Sequence, residues 1–215
     1  MLRLAVFLGN PGAKYKYNRH NAGWMLAEAL VFYSALRWEK KFRALYASMD
    51  KYHFLKPQTY MNLSGESALA AASFCKIGLD EIIIVHDEIE LPFGTLSLKF
   101  SGGLGGHNGL RSMKSCFGSA DFWRLRIGIG RPDTRVPGKG GSIGTSHEAG
   151  IADWVLSDFT AAETESLAPV FKTGAELLVQ AFTDGPETLL PEWSKKKCLP
   201  EPPSDSPEES SALPA

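Results

Sequence analysis

The sequence predicts an α/β fold: a single-domain three-layer sandwich in which a mixed, mostly parallel central sheet is flanked by helices. Three observations carry this expectation. Apolar runs such as residues 3–8 (RLAVFL) and 82–85 (IIIV) are short and cut off by glycine or charged residues, the pattern of strands covered on both faces. Segments with apolar residues at helical spacing alternate with them, and strand–helix alternation builds layered α/β sheets. The chain's 215 residues, 44% hydrophobic, suit one well-filled core better than two.

The first strand, residues 3–8, ends at Gly-Asn-Pro-Gly and opens a polar loop over residues 8–23 (LGNPGAKYKYNRHNAG). Asn21 can cap a helix running to Leu36, because Trp24, Leu26, Ala27, Leu30, Val31 and Ser34 recur at helical spacing. Residues 43–49 and 52–56 flank Asp50-Lys51 as a hairpin, which makes the sheet mixed. Residues 57–62 (PQTYMN) form a second polar loop, and the Ala-rich stretch 63–77 is a helix stopped by Gly78. The strand at 82–85 delivers His86, Asp87, Glu88 and Glu90 from its end, the edge of an open α/β sheet at which ligands bind. Pro92-Phe93-Gly94 turns into a strand at 95–100, residues 101–106 (SGGLGG) make a flexible loop, and a helix opens at His107 and Asn108 and closes at Gly118. Residues 124–129 (RLRIGI) alternate as a strand. Residues 131–150, rich in Gly, Pro, Ser and Thr, are expected to be a mobile loop. Thr160 and Glu163 form a capping box for a last helix towards Phe182, with Pro169 as its kink. The folded domain is thus expected over residues 1–198, followed by a disordered, acidic, Pro-rich tail over 199–215.

Composition narrows the setting. Cys75, Cys116 and Cys198 are odd in number and lack CxxC spacing, which argues against a disulfide framework or zinc site and fits a reducing cytoplasm. The first eight residues are too short for a signal peptide, and no stretch is long enough to span a membrane. The net charge of −1 conceals an uneven distribution. Residues 199–215 carry Glu201, Asp205, Glu208 and Glu209 and no cation, whereas residues 99–140 carry eight Lys and Arg against Asp121 and Asp133. A segment that basic is either a solvated face or a surface for a phosphate backbone.

Several chemistries can be set aside. The glycine loop offers GLGGHN, which lacks the last glycine of a dinucleotide fingerprint, and no GK[ST] makes a phosphate loop. Its glycines can still let backbone approach a ligand between Lys99 and Arg126. His86 and Asp87 are adjacent on a strand and point to opposite faces, and no HxH or HxxxH spacing exists, so no metal is expected. No GxSxG nucleophile elbow is expected between a strand and a helix. What remains is a histidine base backed by a carboxylate. A lone histidine in a polar loop is most often incidental, but His20 with Asp87 would make a dyad in which the carboxylate fixes the imidazole tautomer. Asn10, Asn62 and Asn108 sit in polar loops at element ends, where asparagine can read an amide or orient water; Asn62 and Asn108 are equally well placed as helix caps.

Taken together, LGNPG with Tyr15 and RHNAG (8–23), KPQTYMNLSG (56–65), HDEIELPFGTLSLK (86–99), GGHNGLRS (105–112) and RLRIGIGRP (124–132) resemble the bacterial peptidyl-tRNA hydrolase family, in the family's order. The resemblance implies metal- and cofactor-independent hydrolysis of the ester joining a peptide to the 3′-terminal ribose of tRNA. It implies His20 as the base that activates water, Asp87 as its orienting partner and Asn10 as a reader of the peptide. It implies that Tyr15, Tyr60, Asn62 and Asn108 line the crevice, that Lys99 and Arg126 meet tRNA phosphate, and that His107 belongs to the same site. The partner would be peptidyl-tRNA, and the protein a cytoplasmic monomer. Two departures stand out: Phe7 precedes the first motif where the family often has Gly, and Asn18 stands where Thr is common. Neither removes a functional group. Two other readings stay open, a catalytically inactive tRNA- or RNA-binding relative of the same fold and a small-molecule esterase with no need of the basic segment.

Overall fold

The structure, a computed structural model, describes residues 1–132 and 147–199. Eight strands form one sheet in the order β2-β3-β4-β1-β5-β7-β6-β8. They are β1 (Leu4–Phe7), β2 (Glu39–Lys41), β3 (Ala44–Met49), β4 (Tyr52–Pro57), β5 (Ile82–Glu88), β6 (Thr95–Phe100), β7 (Trp123–Gly128) and β8 (Lys196–Lys197). The sheet is mixed as expected, but it is not mostly parallel. Parallel pairing is confined to the centre, β4-β1-β5-β7, and both edges are antiparallel. Parallel strands need helical crossovers on a face, so they occupy the covered middle, while hairpins extend the edges.

Alternation along the central strands divides the core into two layers. Leu4, Val6, Ile82 and Ile84 pack against α2 (Ser64–Cys75) and α3 (Asn108–Phe117), through Ala68, Ala71, Ala72, Leu110 and Met113. Ala5, Phe7, Ile83 and Val85 face the other layer, α1 (Ala22–Glu28), α5 (Ala161–Thr183) and α6 (Pro186–Trp193), through Leu26, Val170, Leu178 and Trp193. The three-layer expectation holds.

The Asp50-Lys51 hairpin forms, with Asp50 taking the left-handed conformation that its turn requires. The Thr160–Glu163 capping box opens α5, and Pro169 lies inside that helix. Three boundaries differ from expectation. The first helix stops at Glu28 rather than Leu36; the chain continues in tight turns to a single 3-10 turn at Tyr33–Ala35. Val31, Phe32 and Tyr33 are branched or aromatic, poor helix formers, and Leu30 and Leu36 reach the core without a continuous helix. Helix α2 ends at Cys75, where Lys76 rather than Gly78 adopts positive φ, and the Arg3 guanidinium donates to the Cys75 and Lys76 carbonyls. Part of the segment expected as a loop is a helix, α4 (His147–Leu156). Residues 133–146 and the tail from 200 onwards lie outside the described residues. No helix of the described residues is long and apolar enough to cross a membrane.

Candidate active site

The loops that follow β1 and β5 emerge side by side because the two strands are parallel neighbours, with Phe7 opposite Val85. That register sets the site. Strand β5 runs through Glu88, so His86, Asp87 and Glu88 are its last residues rather than a loop beyond it. The loop after β1 is pinned by Asn21, whose Oδ1 accepts from the Asn10 N–H at 2.8 Å and whose Nδ2 donates to the Asn10 carbonyl at 3.0 Å. Asn21 therefore occupies the cap position of α1 without capping it. Gly23 lets α1 start hard against the sheet: a Cβ there would lie 2.5 Å from the Val85 carbonyl oxygen.

At the centre, Asp87 Oδ1 accepts two hydrogen bonds, from His20 Nδ1 at 2.9 Å and from His107 Nε2 at 3.1 Å. All three side chains are buried, and the imidazole centroids are 4.8 Å apart. Burial alone would push the Asp87 pKa up, but the two imidazoles outweigh it and hold the carboxyl well below its usual range. Asp87 is thus ionised, His20 carries its proton on Nδ1, and among the described residues no group is bonded to its Nε2 lone pair. The tautomer of His107 follows from its second role. It is the N-cap of α3, its Nδ1 accepting from the Gly109 and Leu110 N–H groups at 3.1 and 3.4 Å, so its proton is on Nε2. The cap that Asn108 could have supplied is supplied by His107, which leaves Asn108 exposed at the start of α3. His86 lies beneath, fully buried, its Nδ1 donating to the Asp87 carbonyl at 2.6 Å. Burial, with His107 nearby, keeps its pKa well below the ordinary histidine value.

The dyad opens into a crevice of about 640 Å³ lined by Asn10, Tyr15, His20, Tyr60, Asn62, Asp87, His107 and Asn108. Eight of the ten residues expected at the site therefore share one cavity. Asn10 Oδ1 accepts from the Met61 N–H at 2.9 Å, so what Asn10 offers a ligand is its Nδ2 donors. Lys99 and Arg126 do not line this cavity. They lie on neighbouring strands β6 and β7 beside Arg124, which anchors the glycine loop by donating to the Gly103 carbonyl at 2.8 Å. Arg126 donates to Ser97 Oγ at 2.6 Å and lies 3.8 Å from Glu88 Oε2; Glu88 itself lines the crevice. Partial burial and the two arginines lower the Lys99 pKa.

His20, Asp87 and His107 also have ligand atoms within 4.8 Å of one another, the span of a metal site. Their protonation does not fit one. A metal would need the Nε2 lone pair of His107, and that nitrogen carries the proton because Nδ1 is committed to the helix cap.

Sequence reasoning missed Asn21, which holds the loop, and Glu88, Ile89, Arg111, Ile151 and Val155, which line the crevice. The spacing of Ile151, Trp154 and Val155 after the glycine-rich segment was the available signal for α4.

The fold and crevice define a mixed α/β-sheet protein with a histidine–carboxylate pair at the floor of its cleft. The peptidyl-tRNA hydrolase family pattern matches residues 4–200. The chain is 45% identical over 208 residues to the peptidyl-tRNA hydrolase of Treponema pallidum (strain Nichols), covering 92% of this chain and 97% of that protein. It is 42% identical over 196 residues to that of Dichelobacter nodosus (strain VCS1703A), covering 88% and 97%. The crystal structure of an Arg119Gln mutant of peptidyl-tRNA hydrolase from Acinetobacter baumannii superposes with a TM-score of 0.76 at 30% identity, covering 91% of this chain and 96% of that one. The chain belongs to the peptidyl-tRNA hydrolase family. The alternative of an inactive relative is not supported.

Proposed function

We propose that His20 Nε2 takes a proton from water, which attacks the carbonyl carbon of the ester joining a peptide to the 3′-terminal ribose of tRNA. The tetrahedral intermediate then expels the ribose oxygen, which regains the proton, leaving free peptide and tRNA. The observation that carries this reading is the single carboxylate oxygen of Asp87 shared by two imidazole N–H groups, which leaves His20 in the tautomer a general base needs. The Asp87 charge stabilises the imidazolium that forms as water is deprotonated. Asn10 presents Nδ2 to the peptide carbonyl and so distinguishes blocked from free aminoacyl-tRNA, while Asn108 holds the water. Tyr15, Tyr60 and Asn62 form the crevice walls, and His107 positions Asp87. Lys99 and Arg126 meet tRNA phosphate outside the crevice, across the Glu88 boundary. The protein acts as a cytoplasmic monomer in this reading, and no step of the scheme requires a metal or cofactor.

The test is release of an N-acetylated amino acid from tRNA. The protein should deacylate this substrate at an undiminished rate after treatment with a chelator, while His20→Ala loses nearly all of the rate with tRNA binding retained. Equal turnover by the variant would overturn the role of His20, and loss on chelation would overturn the metal-free mechanism.

A further inference from the structure

Arg19 adjoins His20, yet its side chain leaves the crevice and is almost wholly buried on the far side of the loop. Nη2 reaches both Glu163 carboxylate oxygens, at 2.9 and 2.8 Å, and Nη1 donates to Ser157 Oγ at 2.8 Å and to the Asp158 carbonyl at 2.6 Å. The guanidinium carbon lies 3.8 Å from the Trp154 ring centroid and 5.1 Å from that of Phe159. The backbone runs the same way: the Arg19 N–H donates to the Ser157 carbonyl and the Phe159 N–H to the Tyr17 carbonyl, both at 3.0 Å, and the Asn18 amide donates to the Asp158 carboxylate. All these partners belong to the end of α4, the link after it, or the start of α5. The last two turns of α4 give the crevice Ile151, Ala152, Val155 and Leu156.

A buried ion pair contributes little net stability over an apolar replacement of the same volume, since desolvation offsets its attraction. What a guanidinium does supply is direction, because its planar fork and stacking face fix partners in one geometry. Here the two elements so fixed are the loop that carries the base and the helix that gives the same crevice its apolar residues.

We propose that Arg19 is a positioning residue, clamping α4 through Glu163 and Trp154 so that Ile151, Val155 and Leu156 form a binding wall for an apolar side chain of the peptide beside His20. The proposal rests on the ester hydrolysis set out above and adds a determinant of peptide preference. Loosening the clamp moves the wall but leaves His20, Asp87 and the phosphate contacts in place. Substrates with an apolar side chain therefore lose more than substrates with none.

The experiment compares N-acetyl-phenylalanyl and N-acetyl-glycyl esters carried on one tRNA. Wild-type protein should favour the phenylalanyl ester in kcat/KM. Glu163→Gln keeps a capping-box side chain but weakens the pair, and Arg19→Lys keeps the charge but loses the fork and the stacking. Each should lower the phenylalanyl-to-glycyl ratio by roughly tenfold, mainly through KM of the phenylalanyl ester. Should Arg19→Lys fail to fold, Glu163→Gln gives the same readout. Equal losses on both esters, or a wild-type ratio near one, would overturn the clamp while leaving ester hydrolysis standing. A wild-type protein that cleaves neither ester would overturn the functional reading and the clamp with it.

Discussion

Replacing Asp87 by Asn probes the dyad most directly, because it removes a charge while keeping the shape. In the wild-type protein His20 Nδ1 is 2.9 Å from Asp87 Oδ1, and the carboxyl stays ionised because its pKa is held well below the usual carboxylate range. When His20 takes up a proton, the new positive charge lies about 4 Å from the centre of the carboxylate charge, an interaction worth about 4 kcal/mol at an effective dielectric of 20. That energy converts to about three powers of ten in rate. An amide oxygen can still accept from His20 and His107, and a neutral hydrogen bond recovers about 1 kcal/mol. We therefore expect kcat to fall by about 10² to 10³-fold, with KM for N-acetylated aminoacyl-tRNA changed by less than about threefold. Single-turnover release of the blocked amino acid, alongside a tRNA filter-binding titration, separates the two quantities. A loss in kcat below about fivefold, or a matching loss in tRNA affinity, would refute the electrostatic reasoning and make Asp87 a structural residue.

Three further outcomes are expected. Lys99→Ala with Arg126→Ala should weaken tRNA binding and reduce the slope of log affinity against log salt by about 2, one unit for each lost phosphate contact; an unchanged slope would favour a small-molecule esterase. Gly65→Ala would place a Cβ 2.3 Å from the Ser112 carbonyl oxygen, where α2 crosses α3, and should destabilise the fold by about 1–3 kcal/mol in urea unfolding. His86 has a folded-state pKa well below the ordinary histidine value of about 6.5, chiefly through burial, so below that pH the unfolded chain binds a proton the native state does not. Its contribution should be constant above 6.5 and fall as pH drops below it, by up to about 1.4 kcal/mol per pH unit, and His86→Leu should flatten that part of the stability curve.

The sheet strands, the hairpin and the Thr160–Glu163 cap were legible because each rests on local chemistry: alternation, a turn residue, a reciprocal hydrogen bond. The end of α1 was not. Leu30 and Leu36 fit a helical repeat, yet the core receives both from a chain already turning, and only packing decides between those routes. The same holds for Lys76, which takes positive φ ahead of Gly78 because Arg3, more than seventy residues earlier, satisfies the freed carbonyls. At the site, the identities of Asn10, His20, Asp87 and Asn108 were readable, but the division of labour between His107 and Asn108 was not, since either could cap α3.

The sequence by itself determined the chemical inventory: a histidine in a polar loop, a carboxylate at the end of an apolar strand, asparagines at element ends and a basic segment. Tertiary structure decided how these act. Parallel pairing of β1 with β5 brings His20 within 2.9 Å of a carboxylate 67 residues away, and the cap of α3 turns His107 onto the same oxygen. It also sets Lys99 and Arg126 outside the crevice and buries Arg19 against Glu163 and Trp154. Residue type is a local property, whereas tautomer, ionisation and reach depend on which groups meet, and distant segments meet only through sheet register and helix packing.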